Sequence, residues 1–187
     1  MYNKSFVAAL LVLAFSGAAF AATVTTATGG SAISADTTGG AFTALTGPVL
    51  TETVVGDIAV GTVILQAPSG FEFDTGATVT VFLTSTSTNA NKNINDKANN
   101  TAMNITSISS SQITFTVSSK SNGQAKNTLT WQNVRTRPTA GTPLASGNII
   151  KTGTSVIPSV ANGTNLGTLT EVAGVAAVAP LEVSRPQ

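Results

Sequence analysis

Between Gly61 and Leu83 the chain reads GTVILQAPSGFEFDTGATVTVFL, runs rich in β-branched and aromatic residues whose last, Thr78–Leu83, alternates with a period of two. Val79, Val81 and Leu83 fall on one side while Thr78, Thr80 and Phe82 fall on the other, the signature of a half-buried strand in an antiparallel sheet. Pro68-Ser69-Gly70 and Asp74-Thr75-Gly76 separate the runs. The stretch therefore predicts three strands, Thr62–Gln66, Phe71–Phe73 and Thr78–Leu83, divided by turns.

The same pattern recurs along the chain. Ala41–Leu45 and Val49–Val55 are separated by the turn signal Thr46-Gly47-Pro48, and Ile58–Gln66 leads into the central stretch. Ile105–Ile108 and Gln112–Val117 return to strand pattern after a long Thr-, Ser- and Asn-rich segment. Asn122-Gly123, residues that tolerate positive φ, predicts a hairpin joining Gln112–Val117 to Thr128–Val134. From Arg135 to Pro143 the chain is expected to leave the sheet, because Pro138 and Pro143 cannot donate to a ladder. Ser146–Thr152, Ser155–Val160 and Gly167–Val172 complete the strands, with an Asn162-Gly163 turn before the last. Strands at this spacing, with no window of capped helical periodicity, predict an all-β sandwich or barrel.

The first residues read differently. MYNKSFVAALLVLAFSGAAFA places Lys4 before an apolar run and ends on Ala19-Phe20-Ala21, the arrangement of a secretory signal peptide cleaved after Ala21. The run is too short for the roughly 20 residues of a membrane span. We expect export to the cell surface or the extracellular space, by way of the periplasm, with no transmembrane span in the mature chain. The organisation expected is a leader over 1–21, a thin strand or extension over 22–40, and one sandwich domain over 41–187.

Charge narrows the function. Once Lys4 is removed, basic and acidic residues balance, whereas a nucleic-acid-binding chain carries a basic excess, so no nucleic-acid partner is expected. Asp36, Glu52, Asp57, Glu72 and Asp74 make the chain up to Ala90 acidic, while Lys92, Lys97, Lys120, Lys126, Arg135, Arg137 and Lys151 make the following segment basic. Two readings follow: the segments interleave in space and their charges mix, or the subunit has an acidic end and a basic end that favour head-to-tail association.

The phrases GTVILQAPSGFEFDTGATVTV, QITFTVSS and NTLTWQNVRTRPTAGTPLASGNI resemble Ig-like β-sandwich modules of bacterial surface and adhesin-type proteins, over roughly residues 58–150. That resemblance implies adhesion or assembly and carries over no catalytic residues. The fold class expected is an Ig-like or jelly-roll antiparallel β-sandwich.

The residues themselves also disfavour catalysis. There is no histidine and no cysteine, so histidine-based triads, thiol nucleophiles, disulfides and the usual zinc sites are ruled out. No cofactor is expected. Asp57, Glu72 and Asp74 are the candidates for a Ca²⁺ site, in competition with solvated side chains flanking turns. Asn89, Asn91, Asn93, Asn95 and Asp96 mimic the spacing of a calcium loop but lack its glycine and final glutamate, and read as a polar loop. Trp131 shares a strand face with Leu129 and reads as core, which leaves no aromatic platform for sugars.

The expectation is therefore a secreted, non-enzymatic structural or adhesion protein, a fibre or surface subunit that associates with itself or with other surface proteins. The alternative is a carbohydrate- or calcium-dependent binding module. For assembly, the candidate segment is Ala22, Thr23, Val24, Thr25, Thr26, Ala27 and Thr28, which is uncharged, free of proline and poor in apolar anchors. It could pair with the sheet edge of a neighbouring subunit, or equally with its own domain.

Overall fold

The computed structural model describes residues 21–174. The expected leader, apart from Ala21, and most of the final apolar run lie outside the described residues. The protein is all-β, with two larger sheets and a smaller one in a sandwich-like arrangement. One sheet has five strands in the order β1 (Thr23–Thr25), β4 (Val49–Thr51), β11 (Asn127–Gln132), β7 (Thr80–Ser85) and β8 (Thr101–Asn104), all antiparallel. The second has six: β2 (Ile33–Ser34), β14 (Asn165–Val172), β13 (Ser146–Thr152), β5 (Gly61–Gln66), β10 (Gln112–Val117) and β9 (Ser107–Ile108). Among the described strands only β2 and β14 pair in parallel, and Ala27 makes one further parallel bridge to Gly167. The third joins β3 (Thr43–Ala44), β12 (Arg135–Pro138) and β6 (Phe71–Phe73).

Alternation along each strand builds one core. Leu50, Leu129, Trp131, Val81 and Leu83 point inward from the five-stranded sheet and meet Val63, Leu65, Ile113, Phe115, Val117 and Ile149 from the six-stranded sheet. The Phe115 and Trp131 rings meet edge to face across the two sheets, with centroids 6.1 Å apart and planes at 80°. Aromatic pairs favour this geometry because the positive edge of one ring faces the negative face of the other.

Several expectations need correction. Arg135–Pro138 does not leave the sheet but forms β12, pairing with both β6 and β3. Pro138 is tolerated at its end because Pro138 and Phe71 form a non-hydrogen-bonded pair: the ladder to β6 runs through its neighbour, Thr139 N–H donating to the Gly70 carbonyl at 2.9 Å. Ser155–Val160 is not a strand: Pro158 breaks the ladder, and a turn closed by Val160 N–H on the Ile157 carbonyl buries both of those side chains. The Asn122-Gly123 turn exists, with Gly123 at φ 64°, but joins no hairpin, since β10 pairs with β5 and β11 with β7. It carries the chain from one sheet to the other. The Asn162-Gly163 turn does close a hairpin, that of β13 and β14.

The Asn-rich segment is folded rather than loose. Asn93 is fully buried, accepting from Ser85 Oγ at 2.6 Å and donating to the Lys97 carbonyl at 2.9 Å. Ile94 is buried behind it, its N–H donating to Asn127 Oδ1. The asparagines thus serve a compact double turn, Ala90–Lys92 and Ile94–Asp96.

Candidate functional site

The N-terminal arm, Ala22–Thr28, is held within its own chain. Thr23, Val24 and Thr25 pair antiparallel with Thr51, Leu50 and Val49, and Val24 packs half-buried against the core. Beyond Thr26 the arm crosses to the other sheet. Ala27 donates its N–H to the Leu166 carbonyl at 2.7 Å, and Thr28 and Thr46 exchange backbone hydrogen bonds and pair their hydroxyls. Close approach demands small residues here: a Cβ on Gly167 would sit 2.9 Å from that of Ala27, and one on Gly30 would meet the Thr168 carbonyl at 2.6 Å. The arm therefore spans both sheets, and Gly29, at φ 90°, lets it turn away afterwards.

An open groove of about 650 Å³ runs beside the arm, bordered by Thr25, Thr28, Thr46, Val49, Thr130 and Gln132. None of these side chains is charged. The same holds for the whole five-stranded sheet, whose strands carry neither a charged residue nor a proline. In the six-stranded sheet the only charged residues are Lys151 and Glu171, both buried. Both broad outer faces are thus neutral. Across the five-stranded sheet Thr23, Thr51, Thr128 and Thr84 form one cross-strand row.

Charge lies instead on the small sheet and in loops, where the two signs mix. Glu72 accepts from Arg137 Nε at 2.6 Å, and Asp74 lies 3.7 Å from the Arg135 guanidinium. In the loops, the exposed Lys120 packs near Gly56, beside the buried Glu52 and Asp57. Segregation in sequence therefore does not become an acidic end and a basic end, because strands from the two segments neighbour each other.

The calcium candidates have partners of their own. Asp57 is buried at the end of the turn it closes, its N–H donating to the Val54 carbonyl and its carboxylate accepting from the N–H groups of Thr53 and Val54 at 3.0 and 2.8 Å. Glu72 and Asp74 face arginines, and Asp74 also accepts from Gly76 N–H at 2.9 Å. Among the described residues no three acidic side chains are grouped to hold a metal ion.

The buried polar sites at Glu52 and Lys151 escaped the sequence reading. The Glu52 carboxylate, 2% exposed, accepts from Ser121 Oγ, from Asn127 N–H at 2.8 Å and from Ile58 N–H at 3.2 Å. Burial pushes its pKa above the usual carboxylate range, an effect opposed by these hydrogen bonds and reinforced by the nearby Asp57. The other site is Lys151, 2% exposed, whose pKa is lowered by desolvation. Parity offered a signal for it, since Lys151 shares the inward face of β13 with Ile149.

No family model matches the chain, and neither does any curated protein or solved structure.

Proposed function

We propose that this chain is a secreted, non-enzymatic structural or adhesion subunit with an Ig-like or jelly-roll sandwich, which self-associates at the cell surface or in an extracellular fibre. One observation carries the reading: the five-stranded sheet has no charge or proline on any strand, including its edges β1 and β8. Soluble proteins ordinarily guard sheet edges with lysine, proline or bulges, because an unguarded edge templates pairing with another chain. In this reading the guard is missing because the edge is used.

The arm supplies a route. Its ladder along β4 is the same whether the strand comes from its own chain or from a neighbour's, so exchange costs few contacts and concentration decides between the two. The Gly29-Gly30 pair is the hinge. Backbone hydrogen bonds supply the affinity and the seat of Val24 the register.

A second reading, a module for a neutral carbohydrate, rests on the groove lined by threonines and amides beside the arm. The two part on ligand dependence. Sedimentation velocity of the chain beginning at Ala22, over roughly a hundredfold concentration range with negative-stain microscopy, should show assemblies growing without any ligand. A monomer throughout, whose melting temperature rises only when a glycan or Ca²⁺ is added, would favour the module instead.

A further inference from the structure

Lys151 sits where an isolated cation is expensive. It lies near the end of β13, its stem on the core face beside Ile149, and its residue is 2% exposed. Its ammonium donates to the Ser155 carbonyl at 2.7 Å and to Asn162 Oδ1 at 3.0 Å. Both acceptors are neutral, and among the described residues no carboxylate lies within ion-pair distance of it. Buried charges in folded proteins are ordinarily paired, since desolvation is repaid only by an opposite charge or a full set of hydrogen bonds. An ammonium has three donors, of which two are used.

A cavity lies over this group. It measures about 400 Å³, within the range of small-molecule sites, and includes Lys151 and both of its acceptor residues. Its remaining walls are largely apolar: Val156, Ile157, Val160 and Ala161. Val156 is 73% exposed, an aliphatic side chain left at the rim of the opening. A cation at the floor, one amide beside it and aliphatic walls above describe the complement of a small amphiphile with a negative head.

We propose that Lys151 and the cavity above it bind a small organic carboxylate with a short aliphatic body. The carboxylate takes the third donor of Nζ and supplies the missing counter-charge, while the aliphatic part lies along Val156 and Ala161, the exposed apolar members of the lining. The site is independent of the arm and of self-association.

Hexanoate is the probe, with hexanol as its neutral counterpart, titrated by calorimetry into the chain beginning at Ala22. We expect saturable one-to-one binding of hexanoate, with hexanol weaker by at least about tenfold, the usual worth of a charge-assisted hydrogen bond. Lys151→Met keeps the stem and removes the charge, and should lose at least about tenfold in hexanoate affinity while hexanol is unaffected. Ala161→Phe, at an exposed rim position where folding tolerates the change, should fill the cavity and weaken both ligands. That variant keeps the test open if Lys151→Met fails to fold by circular dichroism. Absence of hexanoate binding to the folded chain would overturn the proposal. So would equal binding of hexanoate and hexanol, or binding unchanged in whichever of the two variants folds.

Discussion

Ser121 Oγ lies 2.7 and 2.9 Å from the two carboxylate oxygens of Glu52, tying the chain after β10 to the end of β4. The same hydroxyl accepts from Gly56 N–H at 2.8 Å, so one buried serine organises the turn, the acid and the crossover between sheets. Ser121→Ala should cost about 2–3 kcal/mol in urea unfolding, the range for a lost hydrogen bond to a charged group with a buried acceptor left short of a donor. A loss below about 0.5 kcal/mol, the scale of ordinary surface substitutions, would mean that the cluster contributes little.

The pH dependence of Glu52 has a definite sign. Burial raises its folded pKa above the unfolded value, which lies near the ordinary figure of about 4.3. Between those two values the folded state holds more protons than the unfolded one. The contribution of Glu52 to stability therefore declines as pH rises through that window, and its burial cost is fully felt above the raised folded value. Glu52→Gln removes the titration. The stability difference between wild type and Glu52→Gln should change with pH across the window, with wild type losing ground as pH rises; a difference independent of pH would contradict the assignment.

Trp131 is fully buried, and among the described residues its indole N–H has no hydrogen-bond partner. Its worth is then packing against Phe115 and the surrounding core. Trp131→Phe should cost less than about 1.5 kcal/mol because it also removes an unsatisfied donor, whereas Trp131→Ala should cost about 3–5 kcal/mol. Denaturant melts separate these, and a Phe variant as damaged as the Ala variant would show that the nitrogen matters.

Gly47 lies against the strand that carries Trp131. A Cβ there would fall 1.8 Å from the Trp131 carbonyl oxygen, a backbone atom that cannot move without disturbing β11. Gly47→Ala should therefore cost about 3 kcal/mol or more and shift the lip of the groove beside the arm. Gly39→Ala is the control for composition, because no atom lies within 4 Å of its added carbon, although its φ of 67° carries a small backbone cost of its own.

Much of the sandwich was legible in residue parity. The period-two alternation of Val79, Val81 and Leu83, and of Ile113, Phe115 and Val117, grouped side chains that all lie on the core face. Pairing was less legible, because an Asn-Gly turn fixes a reversal of direction and not the sheet the chain joins next. The strand Arg135–Pro138 was hidden by a proline whose missing donor is harmless because it falls at a non-hydrogen-bonded pair, a register that local sequence does not reveal. The polar clusters were hidden by distance: Glu52 and Ser121 are 69 positions apart, and nothing local marks them as partners. For the arm, its uncharged composition was visible, but its crossing from β4 to β14 depends on the space left above Gly167.

Strand exchange at β4 is tested most directly by removing the arm and returning it separately. A chain lacking Ala22–Gly30 is purified and mixed with a synthetic peptide of that sequence, and folding, peptide uptake and assembly are followed together. We expect a folded chain that has lost concentration-dependent assembly and takes up one peptide per chain along β4, with a gain in melting temperature that grows with peptide concentration. A truncated chain that assembles as before, that folds yet takes up no peptide, or that cannot fold even when the peptide is present, would contradict exchange and assign the strand to its own sheet alone.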